Sequence, residues 1–121
     1  MEIIVAKHMG FCGGVKRAVE MAQGAAQQVD GPVFTWGPLI HNPQVVKRLQ
    51  AEGVQVTEQL DELEGEAFVV SAYGVEHAVL EHARAKGMRV VDATCPVVIR
   101  AHQLAYKLAE EGYQLIVVGD H

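Results

Sequence analysis

The sequence predicts an α/β protein built from parallel strand–helix units. Short runs of β-branched and other apolar residues alternate with longer segments in which apolar residues recur at helical spacing. Such alternation is typical of βα units, in which each helix returns the chain so that the next strand runs parallel to the last. Glycine, proline or asparagine stands at most of the junctions, where the chain has to turn.

Three strands and two helices are predicted in the first half of the chain. The strands are Ile3–Ala6, Val33–Trp36 and Val54–Val56. A helix begins after Gly13-Gly14 and is broken at Asp30-Gly31-Pro32, and its apolar positions are Val15, Ala18, Val19, Ala22 and Ala26. The second helix has Asn42 as its cap and Pro43 in its first position, and it stops at Gly53.

The second half of the chain continues the alternation. The acidic stretch 58–66 is interpreted as a short solvated helix or a loop. The predicted strands are Ala67–Ser71, Met88–Val91 and Tyr113–Val118. One helix is predicted over Val75–Lys86, ending at Gly87, and another begins at Pro96 and ends at Gly112.

Composition narrows the class of protein. Half of the 121 residues are hydrophobic, which is ordinary for a folded domain. A formal net charge of −5 disfavours a nucleic-acid partner, because binding to phosphate backbones favours an excess of Lys and Arg. We expect no membrane association, since no apolar run approaches about 18 residues. Two cysteines are too few for a secreted disulfide scaffold, and the expected compartment is a reducing cytoplasm.

Two cysteines occupy equivalent positions between a predicted strand and a predicted helix. Cys12 lies in Gly10-Phe11-Cys12-Gly13-Gly14-Val15-Lys16, and Cys95 lies in Asp92-Ala93-Thr94-Cys95-Pro96. A helix N-terminus stabilises a thiolate, so a cysteine placed there suits a metal, a cluster or nucleophilic attack. The carboxyl ends of parallel strands meet at one edge of the sheet, which predicts that both thiols face a shared ligand. The alternative is two unrelated buried thiols.

Two more loops follow strands at the same edge. In Gly37-Pro38-Leu39-Ile40-His41-Asn42-Pro43, His41 precedes a capped helix and is placed to donate a hydrogen bond to an anion. In Ser71-Ala72-Tyr73-Gly74-Val75, the Tyr73 hydroxyl is placed to meet the same ligand. Structural roles are expected for His77, His82 and His102, which fall within helical patterns, whereas His8 is a candidate neighbour of the Cys12 loop.

Taken together, these motifs resemble a known family. The matching pieces are Ala6-Lys7-His8, the Gly10 to Ala18 segment around Cys12, the Gly37 to Pro43 loop, Gly74-Val75, the Asp92 to Pro96 loop and Val117-Val118-Gly119-Asp120. Their order and spacing are similar to those in the N-terminal portion of the 4-hydroxy-3-methylbut-2-enyl diphosphate reductases, the LytB-type iron–sulfur enzymes of the non-mevalonate isoprenoid pathway. The resemblance covers essentially the whole chain.

The resemblance implies a fold of three α/β modules around a central [4Fe-4S] cluster. Residues 1–95 would form the first module, carrying Cys12, His41 and Cys95, and residues 96–121 would begin a second. Cys12 and Cys95 would be the first two cluster ligands, and His41 would bind the diphosphate. The implied reaction reductively removes the hydroxyl of an allylic diphosphate to give isopentenyl and dimethylallyl diphosphate. Ferredoxin or flavodoxin would supply the electrons.

The chain departs from the family pattern in two places. Tyr73 stands where the family has a histidine, and a phenol donates a hydrogen bond to phosphate but carries no positive charge. The family's His-Pro-Glu-Val motif, with its proton-relay glutamate, is expected just beyond His121, so no catalytic residue is assigned within the chain. The third cysteine and the serine and asparagine ligands are also missing. We therefore expect the 121 residues alone to be inactive without the remainder of the enzyme or a partner chain.

Two other interpretations stay open at this point. The chain is either a stand-alone iron–sulfur or phosphate-binding module, in which a dimer pools four cysteines over one cluster, or a remnant that folds without catalysis. The sequence that follows His121 distinguishes these interpretations from the first.

Overall fold

The computed structural model describes residues 1–118. Its elements, in chain order, are α1 (Gly13–Gln28), β1 (Val33–Trp36), α2 (Pro43–Ala51), β2 (Val54–Thr57), a single 3₁₀ turn (Leu60–Glu62), β3 (Ala67–Val70), α3 (His77–Ala85), β4 (Arg89–Asp92) and α4 (Pro96–Glu110). The predicted α/β class is confirmed, and the four strands agree with predicted strands to within one residue at each end.

The four strands form one parallel sheet in the order β2-β1-β3-β4. Val33 of β1 pairs with Val54 on one side and with Ala67 on the other. From β1 the chain therefore moves outward through α2 to β2, and from β3 it moves outward in the opposite direction through α3 to β4. The order of the strands reverses between β1 and β3, and in parallel sheets the carboxyl end of such a reversal is where ligands bind.

Helices cover both faces of the sheet, as right-handed crossovers in opposite directions require. One face packs against α1 and α2, with Val33, Leu49 and Val69 in its core. The other packs against α3, and its core includes Phe68 and Val79. The central strand β3 is buried along its whole length, which explains why its sequence, Ala-Phe-Val-Val, is continuously apolar.

Two predicted strands are wrong. Ile3–Ala6 and Tyr113–Val118 are not strands in the structure, and both lie exposed, with Ile4 at 85% and Val118 at 92% of full exposure. β-branched residues favour an extended backbone, but a strand also needs a neighbour for its N–H and C=O groups. Neither segment pairs with the sheet formed by the described residues.

The other differences are small. The helix predicted from Val75 begins only at His77, because Gly74, with φ +89°, and an extended Glu76 first redirect the chain after β3. The acidic stretch forms the 3₁₀ turn, as a short helix was one of the two forms expected. α4 starts at Pro96 as predicted but contributes no buried residue. Within residues 1–118, every helix falls short of the length and hydrophobicity that a membrane-spanning segment needs.

Candidate functional site

The four predicted site residues all lie in loops at the carboxyl edge of the sheet. Cys12 precedes α1, His41 follows β1, Tyr73 follows β3, and Cys95 follows β4. His41 and Tyr73 thus lie in the loops that follow the two strands between which the strand order reverses. This is the crevice in which an open parallel sheet offers converging loops and helix N-termini to a ligand.

Cys12 is the N-terminal cap residue of α1. Its backbone is extended, with φ −62° and ψ 162°, and its carbonyl accepts the first helical hydrogen bond from the Lys16 N–H at 3.0 Å. Its side chain makes no capping hydrogen bond, and the thiol is free and exposed. The main chain therefore holds the residue in place while leaving the sulfur available to a ligand.

Cys95 occupies the corresponding position at the start of α4. Its N–H donates to the Ala72 carbonyl at 2.9 Å, and its own carbonyl accepts from the Ile99 N–H at 3.0 Å. Pro96 fills the first helical position, where no N–H is needed. The Cys95 thiol is half-buried and free, and it too takes no part in capping.

The loop that leads to Cys95 is held by side chains on both sides. Oδ1 of Asp92 accepts from the Thr94 N–H at 2.9 Å and from the Thr94 hydroxyl at 2.5 Å. Nη1 of Arg17, on the second turn of α1, donates to the Thr94 carbonyl at 3.1 Å. The residue immediately before Cys95 is therefore fixed to its own loop and to the helix that Cys12 caps.

The sulfur of Cys95 lies against the first turn of α1. A Cβ placed on Gly14 would be 2.6 Å from Sγ of Cys95, closer than non-bonded atoms approach, and 3.3 Å from its Cβ, which is a tight contact. Cys12 is only two residues before Gly14 in the same turn. The structure thus brings together the two loops whose cysteines were predicted to face one ligand.

His41 and Tyr73 are in direct contact. Their rings are stacked, with centroids 4.5 Å apart and planes inclined by 30°. The backbone N–H of His41 donates to the Tyr73 hydroxyl at 3.2 Å. The two loops are also joined by a hydrogen bond from the Ala72 N–H to the Leu39 carbonyl at 3.1 Å. A cavity of about 160 Å³ opens beside the pair; its lining residues are Phe11, Val15, Ile40, His41, Asn42 and Tyr73.

The start of α2 lies next to His41. Asn42 caps the helix, its Oδ1 accepting from the Val45 N–H at 3.1 Å, as the Asn-Pro sequence predicts. Pro43 follows in the first helical position. Because Asn42 and His41 line the same cavity, the positive end of the α2 dipole lies at its edge.

The remaining histidines are distributed as expected. His77 and His82 lie on α3, and His102 lies on α4. His8 is exposed in the irregular segment before Cys12. A separate cavity of about 270 Å³ lies between α3 and α4, with Arg84, Asp92 and His102 in its lining.

The two free thiols are the candidate metal ligands among the described residues. Residues 1–118 include no group of three or more His, Cys, Asp or Glu side chains arranged to hold a metal ion. Two free thiols at adjacent helix starts nevertheless match the thiolate donors that iron–sulfur clusters prefer. The donor set therefore fits two of the four positions of a cluster.

Two features of the site were missed by sequence reasoning. The Arg17–Thr94 hydrogen bond joins residues 77 positions apart, and no local sequence pattern predicts it. The stacking of His41 on Tyr73 depends on the lateral spacing of β1 and β3. The sequence offered one signal, the glycine at position 14, because glycine lets another group come close to the backbone. Only the folded structure shows that this group is Cys95.

Comparison with known proteins gives a consistent result. The family model described as LytB protein matches residues 3–121. The 4-hydroxy-3-methylbut-2-enyl diphosphate reductase of Geobacter sulfurreducens is 47% identical over 120 residues, which cover 99% of this chain and 42% of the relative. That of Aquifex aeolicus is 42% identical over the same shares of the two chains.

Solved structures agree with the sequence relatives. The structure of (E)-4-hydroxy-3-methyl-but-2-enyl diphosphate reductase, described as the terminal enzyme of the non-mevalonate pathway, matches with a TM-score of 0.78 and 42% identity, covering 98% of this chain and 42% of that one. The Plasmodium falciparum reductase structure matches with a TM-score of 0.80 and 33% identity, covering 88% and 34%. The chain spans about 42% of the length of the curated relatives it matches, and it belongs to the LytB protein family.

Proposed function

We propose that this chain forms the N-terminal part of a 4-hydroxy-3-methylbut-2-enyl diphosphate reductase, in which it supplies two cluster thiolates and part of the diphosphate site. The observation that supports this most directly is the packing of Cys95 Sγ against Gly14 in the first turn of α1, two residues after Cys12. Both thiols are free at helix starts, and neither sulfur takes part in capping, so both are available to a ligand.

Cys12 and Cys95 are the residues that would hold a [4Fe-4S] cluster. Such a cluster, when bound, supplies electrons and a Lewis-acidic iron to the removal of the substrate's allylic hydroxyl. The chain's own contribution is to fix both thiolates through backbone hydrogen bonds at Lys16, Ala72 and Ile99, so that ligand binding costs little reorganisation. The remaining ligands would come from the rest of the reductase.

His41 and the N-terminus of α2 are the groups that would bind the diphosphate. An exposed imidazole beside a helix N-terminus offers a side-chain N–H and a positive dipole end to the same anion. Tyr73 accepts a hydrogen bond from the His41 backbone, so its own proton stays available to a phosphate oxygen. This tyrosine would replace the family histidine as a neutral donor.

The chain also fits the proposed division into one complete module and the start of another. Residues 13–95 contain the four-stranded sheet and its three covering helices. By contrast, α4 buries no residue, and Val97, Leu104 and Tyr106 on it are at least 58% exposed. We propose that α4 and the segment after it begin the second module, and that ferredoxin or flavodoxin in the cytoplasm donates electrons to the whole enzyme.

A chimaeric enzyme tests the proposal. Residues 1–121 replace the aligned segment of the Geobacter sulfurreducens reductase, and the product is reconstituted anaerobically with iron and sulfide. We expect an iron–sulfur absorption band and turnover of 4-hydroxy-3-methylbut-2-enyl diphosphate with a reduced viologen as donor. The cluster should be lost in Cys12→Ser and Cys95→Ser, whereas His41→Ala should keep the cluster and weaken substrate binding. A cluster that persists in both serine variants would overturn the assignment.

Reconstitution of the isolated 121-residue chain tests whether it is a stand-alone iron–sulfur module or one part of the reductase. If it reconstitutes about one cluster per dimer, and each serine variant abolishes that cluster, then the chain is a self-sufficient iron–sulfur module. Turnover by the isolated chain would contradict the view that the rest of the reductase is needed.

A further inference from the structure

Gly14 lies at the contact between the two cysteine loops. Sγ of Cys95 occupies the space that a side chain at position 14 would fill, since an added Cβ would lie 2.6 Å from it. The neighbouring Gly13 and the mid-helix Gly24 belong to the same helix, yet a Cβ at either would meet nothing within 4 Å. The requirement for glycine at position 14 therefore comes from Cys95 and not from the backbone of α1.

Arg17 makes the second contact between these loops. Its guanidinium reaches from α1 to the Thr94 carbonyl at 3.1 Å, one residue before Cys95. Thr94 is itself buried and held by Asp92, so the hydrogen bond from Arg17 acts on a loop that is already rigid. Lys16, by contrast, is exposed and forms an ion pair with Glu20 at 3.9 Å within its own helix.

We propose that Gly14 and Arg17 are positioning residues for the Cys95 sulfur. Gly14 provides the recess that keeps Sγ against the first turn of α1, and Arg17 fixes the height of the Cys95 loop above that turn. Together they set the separation of Cys95 from Cys12, which a shared metal centre requires. The inference rests on the proposed role of the two cysteines as ligands of one centre.

Gly14→Ala places a methyl group in the space that Sγ of Cys95 occupies. The new methyl group cannot share space with Sγ, so the Cys95 side chain has to rotate or the α4 start has to shift. Either movement takes the thiol out of the recess beside Gly14. The helix itself gains from the substitution, because alanine is a better helix former than glycine.

The experiment uses the purified, reduced 121-residue chain and two readouts. The first is the iodoacetamide alkylation rate at each cysteine, resolved by mass spectrometry at a fixed pH. The second is the affinity for Cd²⁺, followed by thiolate-to-cadmium charge-transfer absorption. For Gly14→Ala we expect Cys95 alkylation to rise roughly fivefold with Cys12 unchanged, and Cd²⁺ affinity to fall about tenfold. Arg17→Ala should change both readouts in the same direction by a smaller factor.

Matched control variants show whether an effect comes from the contact with the Cys95 loop or from the added methyl group or lost charge alone. Gly13→Ala and Gly24→Ala introduce the same methyl group into the same helix without touching Cys95, and Lys16→Ala removes the same charge as Arg17→Ala. All three should leave both readouts within about twofold of the wild type. Circular dichroism establishes that each variant is folded, and Arg17→Ala tests the proposal if Gly14→Ala is not.

Two results are decisive and can be told apart. If Cys95→Ser abolishes Cd²⁺ binding while Gly14→Ala and Arg17→Ala behave like their controls, the positioning role is wrong and the ligand role stands. If Gly14→Ala alters Cys95 alkylation but Cys95→Ser leaves Cd²⁺ binding intact, the packing is as described and the proposed ligand role fails.

Discussion

Replacing Asp92 by alanine is expected to destabilise the loop that presents Cys95. One carboxylate oxygen accepts both the N–H of Thr94, at 2.9 Å, and its hydroxyl, at 2.5 Å, and Thr94 is only 6% exposed. Asp92→Ala leaves both donors without this partner in a place that water reaches poorly. A lost hydrogen bond to a charged acceptor costs about 1.5–3 kcal/mol in general. Because Asp92 itself is exposed, we expect a total near the middle of that range, about 2 kcal/mol.

The assay is urea unfolding followed by far-ultraviolet circular dichroism, with two graded variants as controls. Asp92→Asn keeps an acceptor oxygen without the charge and should lose about 1 kcal/mol. Thr94→Val removes the hydroxyl but keeps the N–H bond, and it should also lose about 1 kcal/mol. An Asp92→Ala protein within about 0.5 kcal/mol of the wild type would show that these hydrogen bonds do not stabilise the loop, since that is the range of substitutions with no structural role.

Three further outcomes are expected from the same unfolding assay or from ligand titration. Phe68→Ala, in the fully buried centre of β3, should lose about 3–5 kcal/mol, and Phe68→Leu should lose much less. Asn42→Ala removes the acceptor for the Val45 N–H and should cost about 1 kcal/mol, whereas Asn42→Asp should be nearly neutral. Tyr73→Phe keeps the stack on His41 but removes one partly exposed hydrogen bond, so stability should change by less than about 1 kcal/mol. In the chimaera, Tyr73→Phe should weaken the binding of inorganic pyrophosphate. An unchanged affinity would show that the Tyr73 hydroxyl does not bind the anion.

Much of the fold follows from local pattern in the sequence. Asn42-Pro43 predicts where α2 begins, and Gly53, with φ +96°, lies in the turn that follows the end of α2. The continuous apolar run of β3 favours a strand buried on both faces, and β3 is one of the two inner strands of the sheet. These features depend on hydrogen bonds and packing within a few residues or on one helical turn, so the sequence contains the information locally.

The errors arise where structure depends on a distant partner. Ile3–Ala6 and Tyr113–Val118 have the composition of strands, but in residues 1–118 no sheet edge pairs with them. For the site, the sequence places Cys12 and Cys95 at equivalent helix starts, but it does not show which atoms meet. That Sγ of Cys95 packs on Gly14 follows from how α1 crosses the sheet, which no short-range pattern encodes.

We propose that Cys12 and Cys95 bind one metal centre together. The most direct measurement is a Cd²⁺ titration of the reduced 121-residue chain, with charge-transfer absorption recorded for the wild type, Cys12→Ser and Cys95→Ser. We expect one tightly bound ion per chain in the wild type and a loss of affinity of at least about tenfold in each single variant, because both thiolates would bind the same ion. Two independent sites, with each single variant keeping half of the absorption at unchanged affinity, would contradict it.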